Sequence, residues 1–439
     1  MTARTAFGGA LCLWALALTV SARALQPAAA HPKPRAPSHS TAPVTSAPAL
    51  ASRSTSSRNQ DCFDCHDDDG VTRDKDGTSV TVKPAVFNAS VHESLACVEC
   101  HTSLERVTDF PHEDKLPKVV CASCHDEETA KYAIGVHAKA RGNGSTVAAR
   151  CVDCHGTHDM RAKSDPQSST HHLQLAATCA KCHGNAEIIK KGGIPSDVTK
   201  AFADSIHGRA LSRSGLIVAP TCSDCHAAHD ILKPGDPDSR VARAHVPATC
   251  GKCHEGIARQ FGAGVHGKLL AEGKMRAPAC QTCHTAHAIQ RTDRASWQLS
   301  VISECGSCHG DRIATFRDTF HGQVTNLGFR VVAGCADCHG AHEILPASDP
   351  RSPVSPGHLV QTCGKCHADA NANFVKYDPH ANKHDRKRNP ALFYTSKFMS
   401  ALLFGVFGIF GVHTSLWFTR EVKERRARRR NGLHGGGGQ

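Results

Sequence analysis

Large aromatic side chains are scarce in this 439-residue chain, where Phe, Trp and Tyr together supply 5% of the residues. A folded body of about 320 residues normally fills its core with more such groups. Ordinary side-chain packing is therefore excluded as its main source of cohesion. Methionine is equally rare, and only Met160 and Met275 lie between the two ends of the chain, which all but removes the thioether as a recurrent metal ligand. Only Tyr132, Tyr377 and Tyr394 offer a phenol. Cysteine is abundant, but Cys12 is the only one outside a single repeated motif.

That motif is Cys-x-x-Cys-His, and it occurs eleven times. The copies are Cys62/Cys65/His66, Cys97/Cys100/His101, Cys121/Cys124/His125, Cys151/Cys154/His155, Cys179/Cys182/His183 and Cys222/Cys225/His226. They continue as Cys250/Cys253/His254, Cys280/Cys283/His284, Cys305/Cys308/His309, Cys335/Cys338/His339 and Cys363/Cys366/His367. The spacing reads as covalent attachment of haem c: the thiols take the two vinyl groups and the adjacent histidine reaches the iron. Zinc sites use Cys-x-x-Cys but have no need of a histidine after every second cysteine. A disulfide framework would not place all 22 cysteines at one spacing. Eleven covalently attached haems are expected, and their macrocycles supply the apolar bulk that the side chains lack.

Both ends carry membrane-related signals. Arg4, the apolar stretch from Ala6 to Val20 and Ala22-Arg23-Ala24 predict an export signal over 1–24, cut before Leu25. Cys12 does not mark a lipoprotein, because Leu11 precedes it where a small residue is needed. Residues 25–60 are Pro/Ala/Ser-rich and read as a linker. Near the other end, Phe398 to Phe418 holds no charged side chain other than His413 and is long enough, at about 1.5 Å per residue, to cross a bilayer core. A transmembrane helix is expected over 395–419, with a basic cytoplasmic tail over 420–439 containing Arg420, Lys423, Arg425, Arg426 and Arg428 to Arg430. Lys383, Arg386, Lys387 and Arg388 form a competing basic cluster before the span, so the export signal decides the orientation: body in the periplasm, helix in the inner membrane. The formal charge of +12 does not point to nucleic acid. Two propionates on each of eleven haems add roughly −22, which makes the periplasmic part acidic.

The histidines between the motifs form a repeat. Three motif histidines are followed twelve residues later by another: His125 by His137, His254 by His266, and His309 by His321. His183 and His207 match with a longer insertion. The intervening motifs read Cys-x-x-Cys-His-x-x-His and supply His158, His229, His287 and His342. Four tandem two-haem units over 121–362 follow, starting at Cys121, Cys179, Cys250 and Cys305. They are preceded by a two-haem segment over 61–120 and followed by the last haem and a juxtamembrane segment over 363–394. The eight recurring histidines become candidate distal ligands for the eight haems of the four units. His92, His112 and His380 are left for the haems at Cys62, Cys97 and Cys363, with His384 or His358 as replacements for the last. A histidine three residues after a motif cannot easily turn back to its own iron, so it must serve a neighbour. His171, His172, His245 and His358, just before motifs, are weaker candidates because the class is missing from the Cys250 unit. Bis-histidine ligation predicts low reduction potentials. The expected fold is short helices and coil around an extended stack of haems, with little strand beyond a β-hairpin over 71–82 centred on Asp76-Gly77.

Within the apolar span, Gly405, Gly408 and Gly411 leave a groove for another helix. His413 is ionisable at membrane depth, which marks it as a candidate contact to a quinone, a b-type haem or a partner helix. All three options require a second membrane subunit.

Two segments carry a family likeness. Cys222-Ser223-Asp224-Cys225-His226-Ala227-Ala228-His229-Asp230, with His207-Gly208 before it, and Cys335-Ala336-Asp337-Cys338-His339-Gly340-Ala341-His342 resemble the multihaem c-type cytochromes of metal-respiring bacteria. The run from Asp378-Pro379-His380 through Arg388-Asn389-Pro390 into Gly411-Val412-His413-Thr414 is similar to the tail of their membrane-anchored subunits. The resemblance implies a membrane cytochrome b that oxidises menaquinol as partner. The expected function is non-enzymatic transfer of electrons from a quinol-oxidising membrane partner to periplasmic acceptors. The alternative, a multihaem reductase or oxidase of a small nitrogen or sulfur compound, needs an iron with an open position. Surplus histidine, scarce tyrosine and the lack of any Cys-x-x-Cys-Lys variant speak against it.

Overall fold

A computed structural model describes residues 55–434, with side chains described for 59–430. The export signal, Cys12 and most of the linker lie outside the described residues. Among those described, the architecture is helical: short helices are joined by turns, no strand forms, and one long helix closes the chain.

Two kinds of local structure recur, and in five motifs the residue before the second cysteine shapes the first. Where it is Glu99, Asp153, Asp224, Thr282 or Asp337, the motif coils into a one-turn helix whose N-terminus this side chain caps. Glu99, Asp153, Asp224 and Asp337 accept from the backbone N–H of Ala96, Arg150, Thr221 and Gly334 at 2.7–2.8 Å, and Thr282 from that of Ala279 at 3.1 Å. The cap satisfies an N–H that would otherwise be orphaned at the helix start. Four of these five turns end in a left-handed residue directly after the motif histidine: Gly156 at φ 84°, Ala227 at 68°, Thr285 at 63° and Gly340 at 78°. This conformation is free for glycine and costly for Ala227 and Thr285. It turns the chain sharply and throws the next histidine away from its own motif.

Four of the other six motifs, those at Cys121, Cys179, Cys250 and Cys305, lead into a broken helix. Asp126–Ile134 stops at Gly135 and restarts as Val136–Gly142; Glu255–Ala263 and Val265–Ala271 repeat this around Gly264. Val198–Asp204 and Ile206–Ser212 meet at Ser205, and Gly310–Arg317 gives way to Phe320–Asn326 after Thr319. The hydroxyls of Ser205 and Thr319 cap the second helix by accepting from Gly208 and Gly322. The extra helix Ala186–Gly192 is the insertion that lengthens the His183 to His207 spacing. In all four cases the second residue of the second helix is a histidine: His137, His207, His266 and His321. The glycines that follow three of them are sterically required. A Cβ at Gly208, Gly267 or Gly322 would collide with the carbonyl oxygen of Phe202, Phe261 or Phe316.

A third recurring piece locks the chain entering three motifs. Asp165, Asp236 and Asp349 close Asx turns, while Ser168, Ser239 and Ser352 donate back to the carbonyls of Arg161, Leu232 and Leu345. Thr178, Thr249 and Thr362, each just before a motif, donate to Ser169, Arg240 and Pro353 at 2.7 Å in every copy. Conventional core is sparse by comparison. Its one cluster among the described residues is Val246, Leu270, Ala277 and Ala279, packed with Phe261, Cys250 and Cys280.

The expected hairpin contracts to a single antiparallel bridge between Thr72 and Ser79. It has a use the sequence did not disclose: it brings the Val80 carbonyl to 2.9 Å from His66 Nδ1. The terminal helix runs from Pro390 to His434 without a break, about 68 Å at the usual rise, so it extends beyond the apolar span in both directions. It is long and apolar enough to cross a membrane and none of its apolar window is buried. Past the span, Arg420 pairs with Glu424 and Glu421 with Arg425 at i,i+4 spacing.

Helix propensity alone would make Gly267→Ala favourable. The collision with the Phe261 carbonyl reverses the sign, and a loss of about 1–3 kcal/mol is expected. Thermal unfolding should show a lowered midpoint for this variant, whereas an unchanged or raised midpoint would refute the close approach of the two helices.

Candidate metal centres

Each of the eleven motif histidines faces one non-motif histidine, and no histidine is used twice. His66 faces His112, His101 faces His158, His125 faces His92 and His155 faces His229. His183 faces His137, His226 faces His287, His254 faces His207 and His284 faces His342. His309 faces His266, His339 faces His380 and His367 faces His321. Ring centroids in all eleven pairs lie 5.9–6.2 Å apart. That separation is too long for a hydrogen bond between the rings. It suits one metal ion held by two imidazole nitrogens at about 2 Å each, which sets the centroids roughly 6 Å apart.

The non-motif members of these pairs are the eleven histidines singled out from the sequence. The connections, however, differ from the simple assignment. The eight recurring histidines do not serve the motifs of their own units. Helix histidines reach forward: His137 meets the motif of the next unit, as do His207 and His266, and His321 meets the last motif. Histidines three residues past a motif reach back by one unit: His229 meets His155, His287 meets His226 and His342 meets His284. The three left over fall differently as well. His112 stands opposite the Cys62 motif, but His92 reaches forward to His125 and His380 back to His339. The Cys97 and Cys363 motifs are completed instead by His158 and His321.

Backbone contacts hold four of the five junctions in register. The N–H one residue before a helix histidine donates to the carbonyl two residues after the histidine that reaches back across the same junction. Val136 donates to Ile231, Ile206 to Ile289 and Val265 to Ile344, all at 2.8 Å. Val91, beside His92, donates to Met160 at the same distance. His92 thus plays the part of the forward-reaching helix histidines, although it lies in a turn, and the segment 61–120 is a fifth two-motif unit. Its second motif has Leu104 rather than a histidine at the +3 position, and no Cys-x-x-Cys-His precedes Cys62 in the sequence. Glu99 was the available sequence signal, since it occupies the capping position of Asp153, Asp224 and Asp337.

Within each unit the first cysteines of the two motifs share a hydrogen bond: Cys62 with Cys97, Cys121 with Cys151, Cys179 with Cys222, Cys250 with Cys280 and Cys305 with Cys335. Loss of the first proton is eased by the neighbouring thiol, and Cys62, Cys222, Cys280 and Cys305 are lowered to about 7. Burial of the second cysteines pushes Cys154, Cys225, Cys283 and Cys338 upward. Burial also lowers the imidazoles of His137, His155, His158, His207, His226 and His266, which keeps them neutral and able to donate a lone pair.

One continuous cavity of about 6000 Å³ is lined by all eleven motifs and all eleven opposing histidines. Divided by eleven this gives roughly 550 Å³ per motif, the size of a pocket for one cofactor. Donor set, spacing and volume therefore fit haem c. His171, His172, His245, His358 and His384 line none of it. His172 instead donates to the Ala219 carbonyl at 2.8 Å, the role that Arg243 plays for Ala277, and the Nδ1 atoms of His245 and His358 bond to the carbonyls of Ser239 and Ser352. His413 is exposed on the terminal helix, and nothing lies within 4 Å of a Cβ at Gly405, Gly408 or Gly411.

The depressed imidazoles imply a direction for the pH dependence. An unfolded histidine titrates near 6.5, so below that value the unfolded chain binds more protons and stability falls. The unfolding midpoint, followed by circular dichroism, should hold above about pH 7 and drop as the pH falls below about 6.5. A rise on acidification would contradict these burials.

Residues 85–156 match the family model for cytochrome c7 and related cytochrome c. No curated protein and no solved structure matches the chain. The matched stretch holds three of the motifs, and together with their repetition along a helical, strand-poor chain it supports a multihaem c-type cytochrome, a protein of electron transfer.

Proposed function

We propose that this protein is an undecahaem cytochrome c, anchored in the inner membrane by its C-terminal helix, that carries electrons from a quinol-oxidising membrane partner to periplasmic acceptors. The observation that carries this reading is the one-to-one matching of eleven motif histidines with eleven others at a metal-bridging distance. Haem c, when bound, supplies the one-electron iron couple; the protein fixes its position and environment. The paired thiols would hold the macrocycle, and the motif histidine and its opposite number would supply the two nitrogens that hold the iron. A reductase or oxidase of small nitrogen or sulfur compounds needs one motif histidine without an opposing partner, and all eleven have one.

The second ligand also tunes the site through what its ring holds on the far side. His112 Nδ1 lies 2.9 Å from the Glu113 carbonyl, and His380 Nδ1 lies 3.1 Å from the Thr315 hydroxyl. The His380 segment leads within ten residues into the terminal helix at Pro390, which favours electron entry at the C-terminal end. His413 and the glycine face of that helix are the natural contact for the membrane partner, a cytochrome b with its quinone or b-type haem.

Two measurements test this. Pyridine haemochrome and intact mass should give eleven haems per chain, and seven or eight would end the reading. Purification in mild detergent should retain a b-type cytochrome, and His413→Ala should then slow quinol-driven reduction at unchanged haem c content. Equal rates in the two proteins would remove His413 from the contact.

A further inference from the structure

The eleven histidine pairs differ in one respect that follows their origin: the angle between the two ring planes. Where a histidine reaches back from three residues past a motif, the planes are close to parallel. His101 with His158 stands at 26°, His155 with His229 at 19°, His226 with His287 at 11° and His284 with His342 at 20°. Where a histidine reaches forward, the planes are tilted. His92 with His125 stands at 61°, His137 with His183 at 60°, His321 with His367 at 48°, His266 with His309 at 40° and His207 with His254 at 29°. His207 with His254 is stacked much as the backward pairs are, so the contrast rests on the other four forward pairs, at 40–61°, against 11–26° for the backward ones. Of the two pairs completed by a chain end, His66 with His112 joins the parallel group at 15° and His339 with His380 the tilted group at 40°.

The difference has a local cause. A backward histidine leaves its motif through a left-handed residue, Gly156, Ala227, Thr285 or Gly340, which fixes one approach. Four of the five forward histidines, His137, His207, His266 and His321, sit in the first turn of a helix that sets the ring direction, while His92 is held in a turn. In the best-packed parallel case, Trp297 also stacks on His284 at 5.2 Å and 7°, a positioning contact that holds the plane.

We propose that the chain builds two electronic classes of metal site, near-parallel ones from backward histidines and tilted ones from forward histidines, which alternate from the Cys97 motif to the Cys305 motif. The proposal rests on bis-histidine haem ligation as described above. Parallel imidazoles both donate to the same iron d orbital and split it from its partner, giving a rhombic low-spin ferric site. Tilted imidazoles divide that donation and leave the two orbitals nearly degenerate, giving a strongly anisotropic site. Axial ligand geometry is among the means by which a protein adjusts a haem, so a sequence-encoded alternation of turn and helix becomes an alternation of electronic structure.

Low-temperature EPR of the fully oxidised, full-length protein in detergent tests this. Expected are a rhombic three-feature signal integrating to about five haems and a separate low-field feature from the tilted sites. His229→Met should remove about one haem from the rhombic signal and leave the low-field feature in place, and His137→Met should do the reverse. A single signal shape accounting for all low-spin haems would overturn the two classes while leaving bis-histidine ligation intact. A large high-spin signal in the unaltered protein would instead overturn the ligation itself. The spectrum of the unaltered protein decides between one class and two even where a variant fails to fold.

Discussion

The exchange of histidines across each junction is the constraint on which the rest of this structure depends. At each internal boundary one histidine reaches forward from the earlier unit and another reaches back from the later one. An iron held between each pair of rings would tie neighbours together in both directions. The left-handed residues after the motifs, the broken helices and the backbone bond from Val136 to Ile231 all serve to deliver these two rings. A unit removed from the array would lose ligands on both sides, so the units are modules in sequence but not in stability.

The same constraint accounts for the thin conventional core. Four buried aliphatic residues form its one cluster among the described residues, too few to hold a chain of this size. Cohesion instead comes from groups lining a shared cavity, with local hydrogen-bonded locks such as Thr178, Thr249 and Thr362 fixing the entry to a motif. Rules for apolar cores therefore predict little here: deleting one histidine of a facing pair should matter more than truncating any single apolar side chain.

Much of the site was legible in the sequence, because covalent attachment demands a fixed spacing and the opposing histidines recur. The choice of His92, His112 and His380 followed from elimination alone. What could not be read was who faces whom, since +12 and +3 are distances along the chain and say nothing of which neighbour a turn delivers. The left-handed conformation at Ala227 and Thr285 carries that information, and neither residue type advertises it. The kinship of the first unit was hidden for the opposite reason: it lacks the +3 histidine that marked the others, and only Glu99 betrayed it. The hairpin over 71–82 was overestimated because its alternation lacks a second strand to pair beyond Thr72 and Ser79.

Reciprocal exchange also imposes an arithmetic on how such a chain can grow. Inserting one complete two-motif unit leaves every other ring with a counterpart, since the newcomer receives from both neighbours and gives to both. Inserting a single motif would shift the parity and strand a ring on each side. The ends escape the rule only because His112 folds back on its own unit and His380 is lent by the segment before the membrane helix. An odd total of eleven is thus five doublets and a terminator, and longer or shorter relatives built this way should differ by twos.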